Sequence, residues 1–331
     1  MDLLVLGGTH HVGRCIVEEA VARGWLVTMV NRGTSGHRTP GTELLIADRL
    51  APGQLEEVLG DGKWDAVVDT WSAAPAPVRD AAQLLAGRAR HFGYVSSRSV
   101  YEWPIAAGLD ETGPVVAGDP SSTESGDYAS AKRGGELAAL EAFGDRALVA
   151  RAGLILGPYE LIGRLPWWLR RLERGGPVLC PGPPGRALQY IDGRDLASWM
   201  LDMAAAGRGG VFDTVSRAGH TTMGALLETA NRVTGGRAEL VWVTPDLVEA
   251  QGISPWTELP IWLPPEGEAA GLHAGNTNKV HKAGMVCRPI ADTVESTWRW
   301  LETEGDPPSL EEGRVGYSAA REQAALLAAG Q

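Results

Sequence analysis

The sequence predicts an α/β fold: a doubly wound parallel sheet joined to a smaller, irregular C-terminal lobe. Three observations carry this. Short β-branched-rich apolar runs alternate with amphipathic segments through the first half of the chain. The first run enters a glycine turn, "GGTHHVG", and leaves it into a helical pattern. After Arg151 the alternation fades, and prolines and tryptophans gather in "LPWWLRRLERGGPVLCPGPPGR" and "WVTPDLVEAQGISPWTELPIWLPPEG".

In chain order, strands are expected over 3–6, 26–30, 43–46, 66–68, 91–95 and 147–151. Helices are expected between them, over 12–22, 55–59, 78–85 and 128–142. Such an alternation builds parallel strands with right-handed crossovers. "QYIDGRDLASWMLDMAA", 189–205, adds a strand and a helix, with Asp192 as the helix N-cap and Asp195 behind it as scaffold. Further helices fall at 222–234 and 290–302. The expected organisation is a dinucleotide-type unit over 1–157, to which 188–216 returns. A second lobe takes 158–187 and 217–303, and 304–331 forms a linker and a peripheral helix.

Composition removes several function classes. A net charge of −11 without any basic run argues against nucleic acid as the main partner. Three cysteines, Cys15, Cys180 and Cys287, lie far apart without metal spacing, which reads as a reduced, cytoplasmic protein with no metal. No charged leader precedes the first strand, and no apolar stretch reaches the about 20 residues of a membrane span. Only four lysines occur, at 63, 132, 279 and 282, so a lysine inside a motif carries weight.

Two motifs point to a dinucleotide. In the glycine turn, Gly7 allows the sharp exit from the strand, and Gly13 lets the helix pack closely on the sheet. Thr9, His10, His11 and Val12 complete the turn, whose backbone N–H groups face an anion. The second strand ends without the acid that commonly grips a ribose 2′-hydroxyl. Asn31 and Arg32 stand there, and a guanidinium suits a 2′-phosphate, so NADP(H) is expected over NAD(H). A loop-solvating Arg32 is the competing reading. Asp48 is placed to reach the adenine edge or to shape a turn, and Arg49, Ser72 and Ala73 are counted with the cofactor set.

The pair that decides the chemistry lies in "DYASAK". Tyr128 and Lys132 are four apart and share a helix face. An ammonium near a phenol favours the phenolate, which makes a proton carrier usable near neutral pH. The preceding strand ends in "YVSSRSVY", offering Ser96, Ser97 and Ser99 at the sheet edge.

With these motifs the chain resembles the short-chain dehydrogenase/reductase superfamily, in its extended and atypical, epimerase/dehydratase-like branch. The resemblance runs over nearly the whole chain and also includes "ARAGLILGP", "QYIDGRDLA" and "NTNKVHKAGMVCRPIADTVESTWRWL". It implies a Rossmann-type sheet and a catalytic hydroxyl four residues before Tyr101, at Ser97. Ser97 would polarise a carbonyl, Tyr128 pass the proton, and Lys132 hold the nicotinamide ribose and depress the Tyr128 pKa. A homodimer is a further implication.

Departures from that pattern narrow the chemistry. Arg98 and Ser99 replace the acid pair of sugar-nucleotide dehydratases. Gly126 and Asp127 precede the tyrosine where epimerases often carry Asn-Pro. Leu154, Leu188 and Gln189 stand where relatives place diphosphate-binding side chains. A substrate without a nucleoside diphosphate is therefore expected. Trp71, Trp103, Trp167, Trp168, Trp256 and Trp262 offer an apolar wall for an aromatic or alicyclic ligand, with core packing as the competing role. Arg98 joins Trp71, Trp103, Trp167, Trp168 and Trp256 as substrate candidates.

The leading expectation is an NADP(H)-dependent reductase or dehydrogenase of a small, apolar or cyclic carbonyl or imine compound. A sugar or sugar-nucleotide epimerase with retained cofactor is the second reading. A non-catalytic cofactor-sensing or RNA-associated protein is the third, disfavoured by the Tyr128–Lys132 pair. His10 replaces a glycine and is expected to touch phosphate more strongly as pH falls through its pKa. His11 takes an aromatic place under the turn.

Overall fold

The computed structural model describes residues 1–330. Seven parallel strands form the central sheet: β1 (Asp2–Leu6), β2 (Leu26–Asn31), β3 (Thr42–Ile46), β4 (Trp64–Asp69), β5 (Ala89–Ser97), β6 (Ala147–Ala152) and, late in the chain, Gly210–Thr214. The late strand lies beside β6, and the rest follow in the order β6-β5-β4-β1-β2-β3. Leu3, Leu4, Val5 and Leu6 are all buried, as a central strand covered on both faces requires. The strand order reverses between β1 and β4, which opens a crevice at their carboxyl ends.

Helices cover both faces. α1 (His11–Ala22), α2 (Gln54–Leu59), α3 (Ala76–Leu85) and α4 (Tyr128–Phe143) follow the expected positions to within two residues. On one face α1 packs beside the helix Gly193–Ala205; on the other α3 packs beside α4. Asp127 starts α4, its carboxylate accepting the N–H of Ser130 at 2.9 Å. Asp192 caps Gly193–Ala205 in the same way, at 2.8 Å from the N–H of Arg194.

The second half carries a separate apolar core. Its parallel strand pair is Gly176–Pro181 and Ala238–Val243; the first of these strands and the helix α5 (Arg164–Glu173) lie in the first proline- and tryptophan-rich stretch, and the second strand runs into the start of the other. The terminal helix Ala319–Ala328 is fastened to this core rather than trailing from it. Arg171 donates to Glu322 at 2.7 Å, and Tyr317 donates to the same carboxylate at 3.0 Å, all three buried. All three cysteines are free thiols. Among the described residues no cluster of His, Cys, Asp or Glu could hold a metal, and no helix is long and apolar enough to cross a membrane.

Candidate active site

Two cavities meet at the carboxyl edge of the sheet. One, about 380 Å³, runs along the glycine turn and is lined by Gly7, Thr9, His10, Val12, Gly13 and Lys132. The other, about 510 Å³, opens toward the C-terminal lobe past Arg98, Arg164, Gln189 and Trp256. His11, Ser72, Ser97 and Tyr128 line both. The hydroxyls singled out in the sequence thus stand at the junction of a cleft and a pocket.

The turn packs tightly against the sheet beside the cleft. Gly7 has φ +121°, and a Cβ there would lie 2.3 Å from Thr70 Oγ1. α1 begins with no side-chain cap and no acid in its first turn, so its first N–H groups and positive end face the cleft. His11 leaves the turn at φ +35°, uncommon for a residue with a Cβ. Its ring lies against Gly193, with Nε2 buried and unpartnered, and burial pushes its pKa down to about 4. His10 is exposed, and its pKa is lowered by partial burial and by His37, which narrows the pH range in which it carries charge.

Lys132 is buried, and its ammonium donates to the carbonyls of Trp71 and Val95, each at 2.7 Å. Two of its three donors are used, leaving one for the cleft. Burial lowers its pKa to about 7, against the opposing pull of Asp69 and Glu136. Ser97 Oγ accepts the Ser99 N–H at 3.1 Å and donates to Ser99 Oγ at 3.0 Å.

Tyr128 is 49% exposed as a whole residue, yet dehydration around its phenol raises the pKa above the ordinary value. Hydrogen bonding with Ser97 and the charge of Arg164 oppose that rise without cancelling it. This corrects the expectation that Lys132 depresses the Tyr128 pKa. Lys132 turns toward two backbone carbonyls and is itself drawn down to near neutrality, so its charge does not govern the phenol.

The model of the NAD dependent epimerase/dehydratase family matches residues 3–214. The chain belongs to that family. It is an NAD(P)-dependent enzyme of the short-chain dehydrogenase/reductase type. Among curated proteins none matches its sequence. Solved structures share the fold at low identity. A putative epimerase from Burkholderia cenocepacia is 22% identical with a TM-score of 0.67, covering 89% of this chain and 96% of that one. The Bordetella bronchiseptica enzyme WbmH, solved with NAD+, is 17% identical with a TM-score of 0.66, covering 92% and 99%. UDP-glucose 4-epimerase from Thermotoga maritima, solved with UDP-glucose, is 16% identical with a TM-score of 0.64, covering 92% and 99%.

Within this family member, several sequence candidates lie elsewhere than expected. Arg49 is held by Asp69 through two 2.7 Å bonds and by the Pro77 carbonyl at 2.6 Å, so it braces β4 rather than offering its charge to a cofactor. Ala73 lines neither cavity, while Ser72 beside it lines both. Asn31 holds the turn after β2, accepting the Gly33 N–H at 2.9 Å. Arg32 is left exposed, with no ion pair among the described residues. Asp48 accepts the N–H of Leu50 at 3.0 Å, the turn role.

The indole wall expected for substrate reduces to Trp256. Trp168 is fully buried and donates to the Pro260 carbonyl at 2.8 Å; Trp167 packs edge-on against it and Tyr317. Trp262 is buried in the same core. Trp71 turns its indole N–H to the Ala74 carbonyl and serves Lys132 through its backbone, while Trp103 is half exposed outside the pocket. Large apolar rings gain most by full burial, and this lobe had a core to fill. Arg98 lines the pocket, but its guanidinium is turned inward, to the Leu272 carbonyl at 2.9 Å and to Asp213 at 3.3 Å. Arg164 and His273, neither of them marked by a sequence motif, also line the pocket, as does Gln189. Arg164 sits in "GRLPWW", three residues before the Trp167–Trp168 pair.

Proposed function

We propose that the enzyme is an NADP(H)-dependent oxidoreductase of a small carbonyl or imine compound, working through Ser97, Tyr128 and Lys132. The observation that carries this reading is the junction itself, where Ser97 and Tyr128 line both the cleft and the pocket. The sheet unit, 1–157 with 188–216, would hold the cofactor, and the remaining lobe would close over the substrate. A nicotinamide dinucleotide in the cleft supplies hydride transfer.

Each side chain has a distinct task. The glycine turn and the start of α1 take the diphosphate. The third donor of Lys132 takes a ribose hydroxyl. Ser97 donates to the substrate oxygen, and Tyr128 exchanges a proton with it. With its pKa raised by burial, the Tyr128 phenol is protonated at neutral pH, the form that donates to the substrate oxygen in reduction. Arg32, exposed at the end of β2 where no acid stands, supports the choice of NADP(H).

A second reading, a sugar epimerase that retains its cofactor, is favoured by family membership and by neighbours such as UDP-glucose 4-epimerase. The two differ in stoichiometry. Purified enzyme given carbonyl substrates should consume NADPH one for one; product formed with no net change in the 340-nm absorbance of the nicotinamide would establish the epimerase instead.

A further inference from the structure

The pocket beside Ser97 and Tyr128 is lined by hydroxyls, an amide, two histidines, two arginines and apolar groups, with no acidic side chain among its lining residues. Its two guanidiniums differ. Arg98 is 3% exposed and faces the buried Asp213. Arg164, the first residue of α5, is paired more loosely: its guanidinium makes no hydrogen bond among the described residues. The nearest carboxylate, Glu160, stands 3.9 Å away. That carboxylate is already engaged, accepting the backbone N–H of Arg164 at 2.9 Å and of Leu165 at 3.2 Å.

Arg164 is nonetheless held in place. Its side chain is only 18% exposed, and the guanidinium lies over the Trp256 ring at 5.0 Å. A planar fork, fixed on an aromatic platform with its donors unspent, is suited to a carboxylate or phosphate. Its positive charge also reaches the Tyr128 phenol, which puts it within range of the reacting end.

We propose that Arg164 is the specificity residue of this pocket and binds an anionic group, carboxylate or phosphate, carried by the substrate close to its reacting carbon. This rests on the oxidoreductase reading and replaces the apolar ligand expected from the tryptophans with an anionic carbonyl compound. Arg164 forms the contact, Trp256 orients it, and Ser97 and Tyr128 meet the carbonyl.

Calorimetric titration of the enzyme, saturated with NADP+, against sodium phosphate and separately against sodium acetate tests this. Saturable binding of either anion is expected, phosphate alone indicating a phosphorylated substrate and acetate alone a carboxylate. Arg164→Gln should weaken it about tenfold or more, the worth of one charge-assisted pair. Arg164→Lys, which keeps the charge but loses the fork, should fall between the two. No saturable binding of either anion, or equal binding by wild type and Arg164→Gln, overturns the proposal. NADP+ and NAD+ affinities come from the same preparation. Cofactor binding without anion binding removes this inference alone, whereas failure to bind either dinucleotide removes the oxidoreductase reading.

Discussion

Lys132 hands two of its ammonium protons to the backbone carbonyls of Trp71 and Val95, joining α4 to the segments that follow and form β4 and β5. The lysine is therefore both a ligand for the cleft and a staple of its walls. Lys132→Met removes a donor from each carbonyl, although the Tyr94 hydroxyl still donates to that of Trp71 at 3.2 Å, and costs about 1–3 kcal/mol. A lower melting temperature together with weakened NADPH binding is expected, by calorimetry and fluorescence titration. Loss of stability with intact cofactor affinity would leave Lys132 a structural residue only.

Tyr128 carries little of the packing, being half exposed. Tyr128→Phe should lower turnover by about 10²- to 10⁴-fold, the usual worth of a positioned proton carrier, while NADPH affinity and melting temperature stay near wild type. An undiminished kcat would remove it from the mechanism.

Arg164 holds the Tyr128 pKa down against burial. With that charge removed, the phenol deprotonates at higher pH. In the reductive direction activity is lost as pH rises through this pKa, so the alkaline limb of the kcat profile should move upward in Arg164→Gln. A limb that stays in place would mean that another group sets it.

Arg32 stands exposed at the end of β2 without an ion pair among the described residues. Arg32→Ala should weaken NADPH about tenfold, as loss of a charge-assisted contact does, and leave NADH unchanged. An equal loss for both dinucleotides would deny it a role in reading the 2′-phosphate.

His11 predicts an acid sensitivity. An unfolded histidine titrates near 6.5, whereas folded His11 titrates at about 4. Below about pH 6.5 the unfolded chain takes a proton that the folded one refuses, so stability is lost as pH falls toward 4, by roughly 3 kcal/mol in all. His273, also near 4, adds a loss of the same sign, while Asp213, raised to about 6, acts oppositely. His11→Phe should therefore show a smaller drop in melting temperature between about pH 7 and pH 5 than wild type. An equal drop would place the sensitivity elsewhere.

The sheet was legible in the sequence because its signals are local. A buried parallel strand is a short apolar run, and the helix beside it repeats every 3.6 residues. The glycine turn, "VSSRSVY" and "DYASAK" name Ser97, Tyr128 and Lys132 for the same reason: each motif lies at a strand end or helix start set by its neighbours in the chain. Tertiary structure alone decided which arginines and tryptophans face the pocket. Arg49, Arg98 and Arg164 are alike in sequence, but the first two meet Asp69 and Asp213, residues 20 and more than a hundred positions away, at 2.7 and 3.3 Å, whereas Arg164 comes no nearer than 3.9 Å to a carboxylate, that of Glu160. Trp167 and Trp256 differ in the same way, one enclosed by Trp168 and Tyr317, the other laid under Arg164. Charge pairing and ring burial are settled by partners distant in sequence, and so they appear only once the chain has folded.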